Sequence, residues 1–188
     1  MRLFVALDIP EDVRNAIGAL ASRLRPLCES ARWVRIEGAH VTLKFIGEVP
    51  AEKAEEIKAA LAAVLPRAPI KIAFRGVGFF PNERRPRVLW AGVKSSDDLT
   101  ALATAVEVVL EPLGFPREQR TFSPHLTLAR FDSPTGLTPL VAGIAAAGTL
   151  EFGDTTANEF HLYQSVLKRG GAEYTRQATY RFSEGGLW

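Results

Sequence analysis

The sequence is poor in the residues that build covalent or metal-held scaffolds. Its 188 residues include one cysteine, one methionine and three histidines. A single cysteine, Cys28, excludes an intramolecular disulfide and any cysteine-based zinc cluster, an inventory that suits a reducing cytosol. Long hydrophobic runs are missing as well. The opening MRLFVALD is apolar only briefly before Asp8, too short for a signal-peptide core, and no stretch approaches membrane-spanning length. Nor is there an excess of charge: a net charge of +2 permits a phosphate or nucleic-acid partner without demanding one. The expectation is a soluble, cytoplasmic chain with no membrane partner.

What is present is ordinary globular composition, 47% hydrophobic and 23% charged. The length suits one sizeable domain or two small lobes sharing a core. Residues 2–8 read as a buried strand. Val13, Ile17, Leu20, Leu24 and Leu27 form one helical stripe, and Ala54, Ile57, Leu61, Val64 and Leu65 a second, ended by Pro66. A third stripe runs through Leu99, Leu102, Val106, Val109, Leu110 and Leu113, opened by Ser96 with Asp97 and Asp98 in the first turn. Thr138-Pro139 starts a short Ala-rich helix. Strands are expected at 31–36, within HVTLKFIG and FSPHLTLAR, in IKIAFRGVGFF and PRVLWAGV around the turn PNERRP, and at 157–167 and 174–182 around KRGGAE. Strand pairs interrupted by helices argue for an α+β fold with largely antiparallel sheets.

Two of the three histidines open nearly identical phrases, HVTLKF at 40–45 and HLTLAR at 125–130. In a strand, residues i and i+2 share a face. His40 therefore sits beside Thr42 and His125 beside Thr127, while Val41, Leu43, Leu126 and Leu128 face the other way. Histidine exchanges protons near neutral pH. One neutral ring takes a proton from an attacking oxygen while a protonated one gives a proton to the leaving oxygen, the two transfers a phosphodiester hydrolysis needs. Threonine hydroxyls donate to phosphate oxygens without adding charge. Two alternatives stand beside this reading. The phrases are a structural echo of two similar hairpins, or they hold a metal, for which two His without an Asp or Glu on the same face make a poor ligand set.

HVTL and HLTL resemble the twin H-x-T-x signature of the 2H phosphoesterase superfamily. MRLFVALDIPEDVR, RWVRIEGAHVTLKFIGE, FSPHLTLAR and FHLYQSVLKRGGAEY are further similar to the RNA 2′,3′-cyclic phosphodiesterases, formerly labelled 2′-5′ RNA ligases, and the likeness covers almost the whole chain. The resemblance implies one 2H phosphoesterase domain over 1–188, built of two intertwined, pseudo-symmetric lobes with helices outside and the site in the cleft between them. It implies metal-independent, cofactor-free hydrolysis of RNA 2′,3′-cyclic phosphate ends, or of a small cyclic nucleotide, to a 2′-phosphomonoester; the chain is expected to act as a monomer. His40 is then the acid, His125 the base, and Thr42 and Thr127 bind phosphate. Two other functions stay open: ATP-independent 2′-5′ joining of RNA ends, and a non-catalytic RNA-end or nucleotide-binding module.

Arg130 occupies a position where the family tends to carry a phosphate-contacting arginine. Plain alternation turns it away from His125, so it reaches the phosphate only if the strand ends or bulges; a surface salt bridge is the other reading. Its counterpart in the first phrase is Phe45. His161, Tyr163 and Ser165 share one face, solvated for His161, with Tyr163 able to stack on a base or ribose if that face lines the cleft. Trp33 and Phe45 are expected in the core, with base stacking as the alternative. The basic stretches NERRPR and KRGG are solvated turns or RNA-steering loops. Gly76 and Gly78 lack the following helix of a phosphate loop, and Cys28 packs at the end of the first helix.

Overall fold

The computed structural model describes residues 1–64, 68–133, 135–169 and 171–182. Among the described residues, nine strands and four α-helices follow one another as β1 (Arg2–Asp8), α1 (Glu11–Leu24), β2 (Arg32–Trp33), β3 (His40–Glu48), α2 (Ala51–Ala62), β4 (Ile70–Phe80), β5 (Val88–Ser95), α3 (Asp97–Leu110), β6 (His125–Arg130), α4 (Thr138–Ala146), β7 (Glu151–Ala157), β8 (Glu159–Lys168) and β9 (Gly171–Arg181). They make two wholly antiparallel sheets, β3-β1-β8-β9 and β2-β6-β5-β4-β7. The α+β expectation with antiparallel sheets holds.

The chain crosses between the sheets more than once. β1 and β3 belong to the first sheet, β2 and β4 to β7 to the second, and β8 and β9 return to pair with β1. One continuous apolar core includes Leu3, Val5 and Leu7 of β1, Val41 and Leu43 of β3, Leu89 and Ala91 of β5, and Leu126 and Leu128 of β6. The helices add their stripes to it, with Val13, Ile17, Leu20 and Leu24 from α1, Ile57 and Leu61 from α2, and Leu99, Leu102, Val106 and Leu110 from α3. Lys44 carries its charge into this interior, where Nζ pairs with Glu107 of α3 and donates to the Pro116 carbonyl at 2.9 Å. A buried ammonium with two partners joins β3 to the α3 end of the molecule.

Several sequence expectations need correction. The first stripe ends at Leu24; Leu27 lies in a 3-10 turn with Pro26 and is 37% exposed. The strand expected at 31–36 shrinks to Arg32–Trp33, because Ile36–Gly38 turns into a 3-10 helix before the first motif. Ser96 does not cap a backbone N–H; its hydroxyl donates to Asp98. α4 is capped by Leu137 and already includes Thr138. β7 was not expected, and Leu65 and Pro66 lie outside the described residues.

Candidate active site

Both motifs lie on strands with one face on the main core; on the other face His40 is largely covered by Tyr163 and Tyr174. Opposite β3, β1 pairs Asp8 with His40, Ala6 with Thr42 and Phe4 with Phe45. Opposite β6, β5 pairs Gly92 with His125, Trp90 with Thr127 and Val88 with Arg130. In each case the partner strand advances two residues while the motif strand advances three, so each motif strand carries a bulge just after its threonine. The extra residue restores the flipped alternation. Leu43 and Lys44 are both buried, as are Leu128 and Ala129, and Phe45 and Arg130 return to the face of the histidines.

This answers the question that alternation posed for Arg130. It shares a face with His125 and Thr127, it is exposed, and among the described residues its guanidinium has no ion-pair or hydrogen-bond partner. The surface salt bridge offered as its other reading is not there. Phe45, expected in the core, is 70% exposed instead, with its ring 6.0 Å from Phe4. Trp33 is as expected half-buried against the core, its indole N–H donating to the Cys28 carbonyl at 3.0 Å. Thr42 and Thr127 are half-buried, and neither hydroxyl bonds another described residue.

His125 Nδ1 lies 2.8 Å from the Ser123 carbonyl, two residues upstream. A carbonyl only accepts, so Nδ1 of His125 carries the hydrogen and Nε2 keeps its lone pair. Aromatic edges fix the ring planes. Phe80 meets His125 edge-on at 5.0 Å, and Tyr174 meets His40 edge-on at 5.3 Å. Tyr174 lies so close over Gly38 that a Cβ there would come within 2.7 Å of its ring. Glycine at 38 therefore lets Tyr174 close over the segment that holds His40.

The surroundings of the rings differ. His40 Nε2 stands 3.7 Å from Asp8 Oδ1. Asp8 accepts hydrogen bonds of 2.5 Å from both the Tyr163 hydroxyl and Arg176 Nη2. Burial pushes His40 below the ordinary histidine value, and Asp8 pulls back in the other direction. Burial, reinforced by the hydrogen bond to Asp8, pushes the Tyr163 phenol up to about 12, so it remains a donor. An acidic group thus does share a face with a motif histidine, contrary to the sequence reading, which had no view of β1 beside β3. Among the described residues no group of three or more His, Cys, Asp or Glu is placed to hold a metal ion.

His161, expected on a solvated face, is 1% exposed. Its Nδ1 lies 3.0 Å from the Thr179 hydroxyl, and its Nε2 is 3.6 Å from Asp8 and from Glu159. Tyr163 does line the motif face, but its hydroxyl is committed to Asp8. Asp8, Tyr174 and Arg176 were missed by sequence reasoning, and nothing near them in sequence marks them. NERRPR is a turn in which Asn82 Oδ1 accepts from the Arg84 and Arg85 amides.

Comparison with known proteins agrees with this geometry. The sequence profile of the family described as LigT like Phosphoesterase matches twice, over residues 7–90 and 92–174, with one motif in each match. An Archaeoglobus fulgidus protein named RNA 2′,3′-cyclic phosphodiesterase is 39% identical over 93% of this chain and 96% of its own. One of the same name from Methanocaldococcus jannaschii is 34% identical over 93% and 96%. A crystal structure of a Thermus thermophilus protein superposes with a TM-score of 0.82 at 31% identity, covering all of both chains. E. coli LigT in complex with 3′-AMP superposes with a TM-score of 0.79 at 28% identity, covering 97% of this chain and 98% of that one. Two antiparallel sheets, each with a His-x-Thr strand whose His and Thr face away from the main core, define a 2H-type phosphoesterase architecture. The chain belongs to the LigT-like phosphoesterase family.

Proposed function

We propose that this chain hydrolyses 2′,3′-cyclic phosphate ends of RNA to 2′-phosphomonoesters by acid–base catalysis between two histidines, as one 2H phosphoesterase domain acting as a cytoplasmic monomer. The observation that carries the reading is the doubled strand: each motif presents His, Thr and, past a bulge, a third side chain on the face turned away from the main core. The relatives' shared name supplies the substrate class.

In this mechanism a water attacks phosphorus and gives its proton to His125 Nε2, whose lone pair is free because Nδ1 is tied to Ser123. The P–O3′ bond breaks, and the departing oxygen takes a proton from His40. Thr42, Thr127 and Arg130 bind the non-bridging oxygens, the arginine adding a forked, charged donor on one side only. A module that only binds RNA ends has no use for two rings that exchange protons, each beside its own threonine. No step is routed through a metal. Phe45 offers its exposed face to the nucleobase beside the cyclic phosphate, a contact of about 1–3 kcal/mol.

The test is turnover of a short RNA carrying a cyclic-phosphate end, in excess EDTA, with the product identified. A 2′-monophosphate is expected. Loss of activity with the chelator, or binding without turnover, contradicts the reading; a joined product with a 5′-hydroxyl partner turns it toward end joining.

A further inference from the structure

Besides Phe45 and Arg130, the two halves of the site differ at the residue paired across from each histidine. Opposite His40 stands Asp8; opposite His125 stands Gly92. The glycine has no room to become anything else, because a Cβ there would lie 2.3 Å from the Arg75 carbonyl oxygen. The carboxylate, in contrast, is built in. Tyr163 holds Oδ1 and Arg176 holds Oδ2, both at 2.5 Å, while His161 Nε2 lies 3.6 Å from Oδ2. Among the described residues no carboxylate comes within salt-bridge distance of His125.

We propose that Asp8 is a positioning residue that divides the labour between the histidines, holding a proton on His40 for the departing oxygen while Gly92 leaves His125 free to accept one. This deepens the functional reading above and rests on it. The separation of 3.7 Å from Nε2 is longer than a hydrogen bond. The pull is therefore Coulombic, and the Nε2 proton stays available for transfer. Per turnover, one proton leaves water for His125 and one leaves His40 for the 3′ oxygen; exchange with solvent resets both rings.

The charged and titratable groups around His40 come from four elements. Asp8 on β1 favours the imidazolium, and Arg14 on α1 and His161 on β8 oppose it. The Tyr163 phenol on β8 packs 4.5 Å from the ring. On β9, Arg176 is spent on Asp8 and Tyr174 covers the ring edge. Burial is the larger influence and keeps His40 below the ordinary histidine value. Asp8 offsets part of it, and the negative charge of a bound phosphodiester adds to Asp8.

The test is Asp8→Asn, nearly the same shape without the charge, with Tyr163→Phe as a gentler variant that removes only one bond to the carboxylate. The His40 and His125 rings are titrated by NMR in the free protein, and kcat/KM is followed against pH on a cyclic-phosphate RNA. In Asp8→Asn, His40 is expected to titrate at lower pH by about half a unit or more while His125 stays put. The basic limb of the rate profile moves the same way, and kcat near neutral pH falls about threefold or more with little change in KM. Tyr163→Phe gives a smaller shift of the same sign. An unmoved His40 titration, or a loss uniform across pH, overturns the proposal. The NMR titration does not depend on turnover, so a wild-type protein without hydrolase activity sinks the functional reading separately from the electrostatic role of Asp8.

Discussion

His40 and His125 are the same residue in two settings, and the difference in setting gives them different work. Each is expected to lose about 10²- to 10⁴-fold in kcat on replacement by alanine. The double variant should be little worse than the poorer single one, because the two proton transfers serve one bond change. Steady-state kinetics on a cyclic-phosphate RNA checks both statements; additive losses would mean that the rings act independently. Phe45 is tested at the same scale. Its ring is largely exposed, so Phe45→Ala should leave stability within about 0.5 kcal/mol. It should raise KM for a substrate bearing a base without lowering kcat, and an unchanged KM would remove Phe45 from the substrate's path.

At the scale of elements, the two bulges decide which side chains meet. Arg130→Ala is expected to lower kcat/KM about tenfold or more, since a charge-assisted donor is lost from the phosphate. Moving the arginine back one place, as Ala129→Arg with Arg130→Ala, should not restore activity and should destabilise the fold, because position 129 is wholly buried. Recovery of activity in that double variant would mean that the bulge does not orient Arg130. The bulges also show where the sequence was legible and where it was not. The periodicity of α1 and α3, the alternation of His40 with Thr42 and of His125 with Thr127, and the antiparallel class were all written in local pattern. A bulge has no local signature here; HLTLAR reads as perfect alternation until its pairing with β5 is known. Asp8 is tied to Tyr163 and Arg176, 155 and 168 positions away, so its role depends on β1 lying beside β8 and β9. β7 was missed because EFGDTTA mixes polar residues with Gly153 in a positive-φ conformation, and its pairing with β4 supplies what propensity lacks.

Across the whole molecule, two features tie stability to the same framework. Lys44 and Glu107 form a buried pair between β3 and α3, so Glu107→Leu alone should cost about 3 kcal/mol in urea unfolding, and adding Lys44→Met should restore much of it. Equal losses in the single and double variants would show that the pair matters only through packing. His40 and His161 both titrate below the ordinary histidine value because burial disfavours their charged forms. The unfolded chain takes up those protons first as pH falls, so this contribution is full above about pH 6.5 and drains between there and the lower folded values. Tm should fall on acidification over that window, less steeply in His161→Asn; a slope untouched by His161→Asn would remove His161 from the effect. The central claim concerns chemistry, and one experiment meets it most directly. A short RNA with a 2′,3′-cyclic phosphate end is incubated with the wild-type chain, His40→Ala and His125→Ala, and the products are resolved as 2′- or 3′-monophosphates. A 2′-monophosphate is expected from the wild type and almost none from either variant, whereas a 3′-monophosphate, or turnover that survives both substitutions, would contradict the two-histidine mechanism.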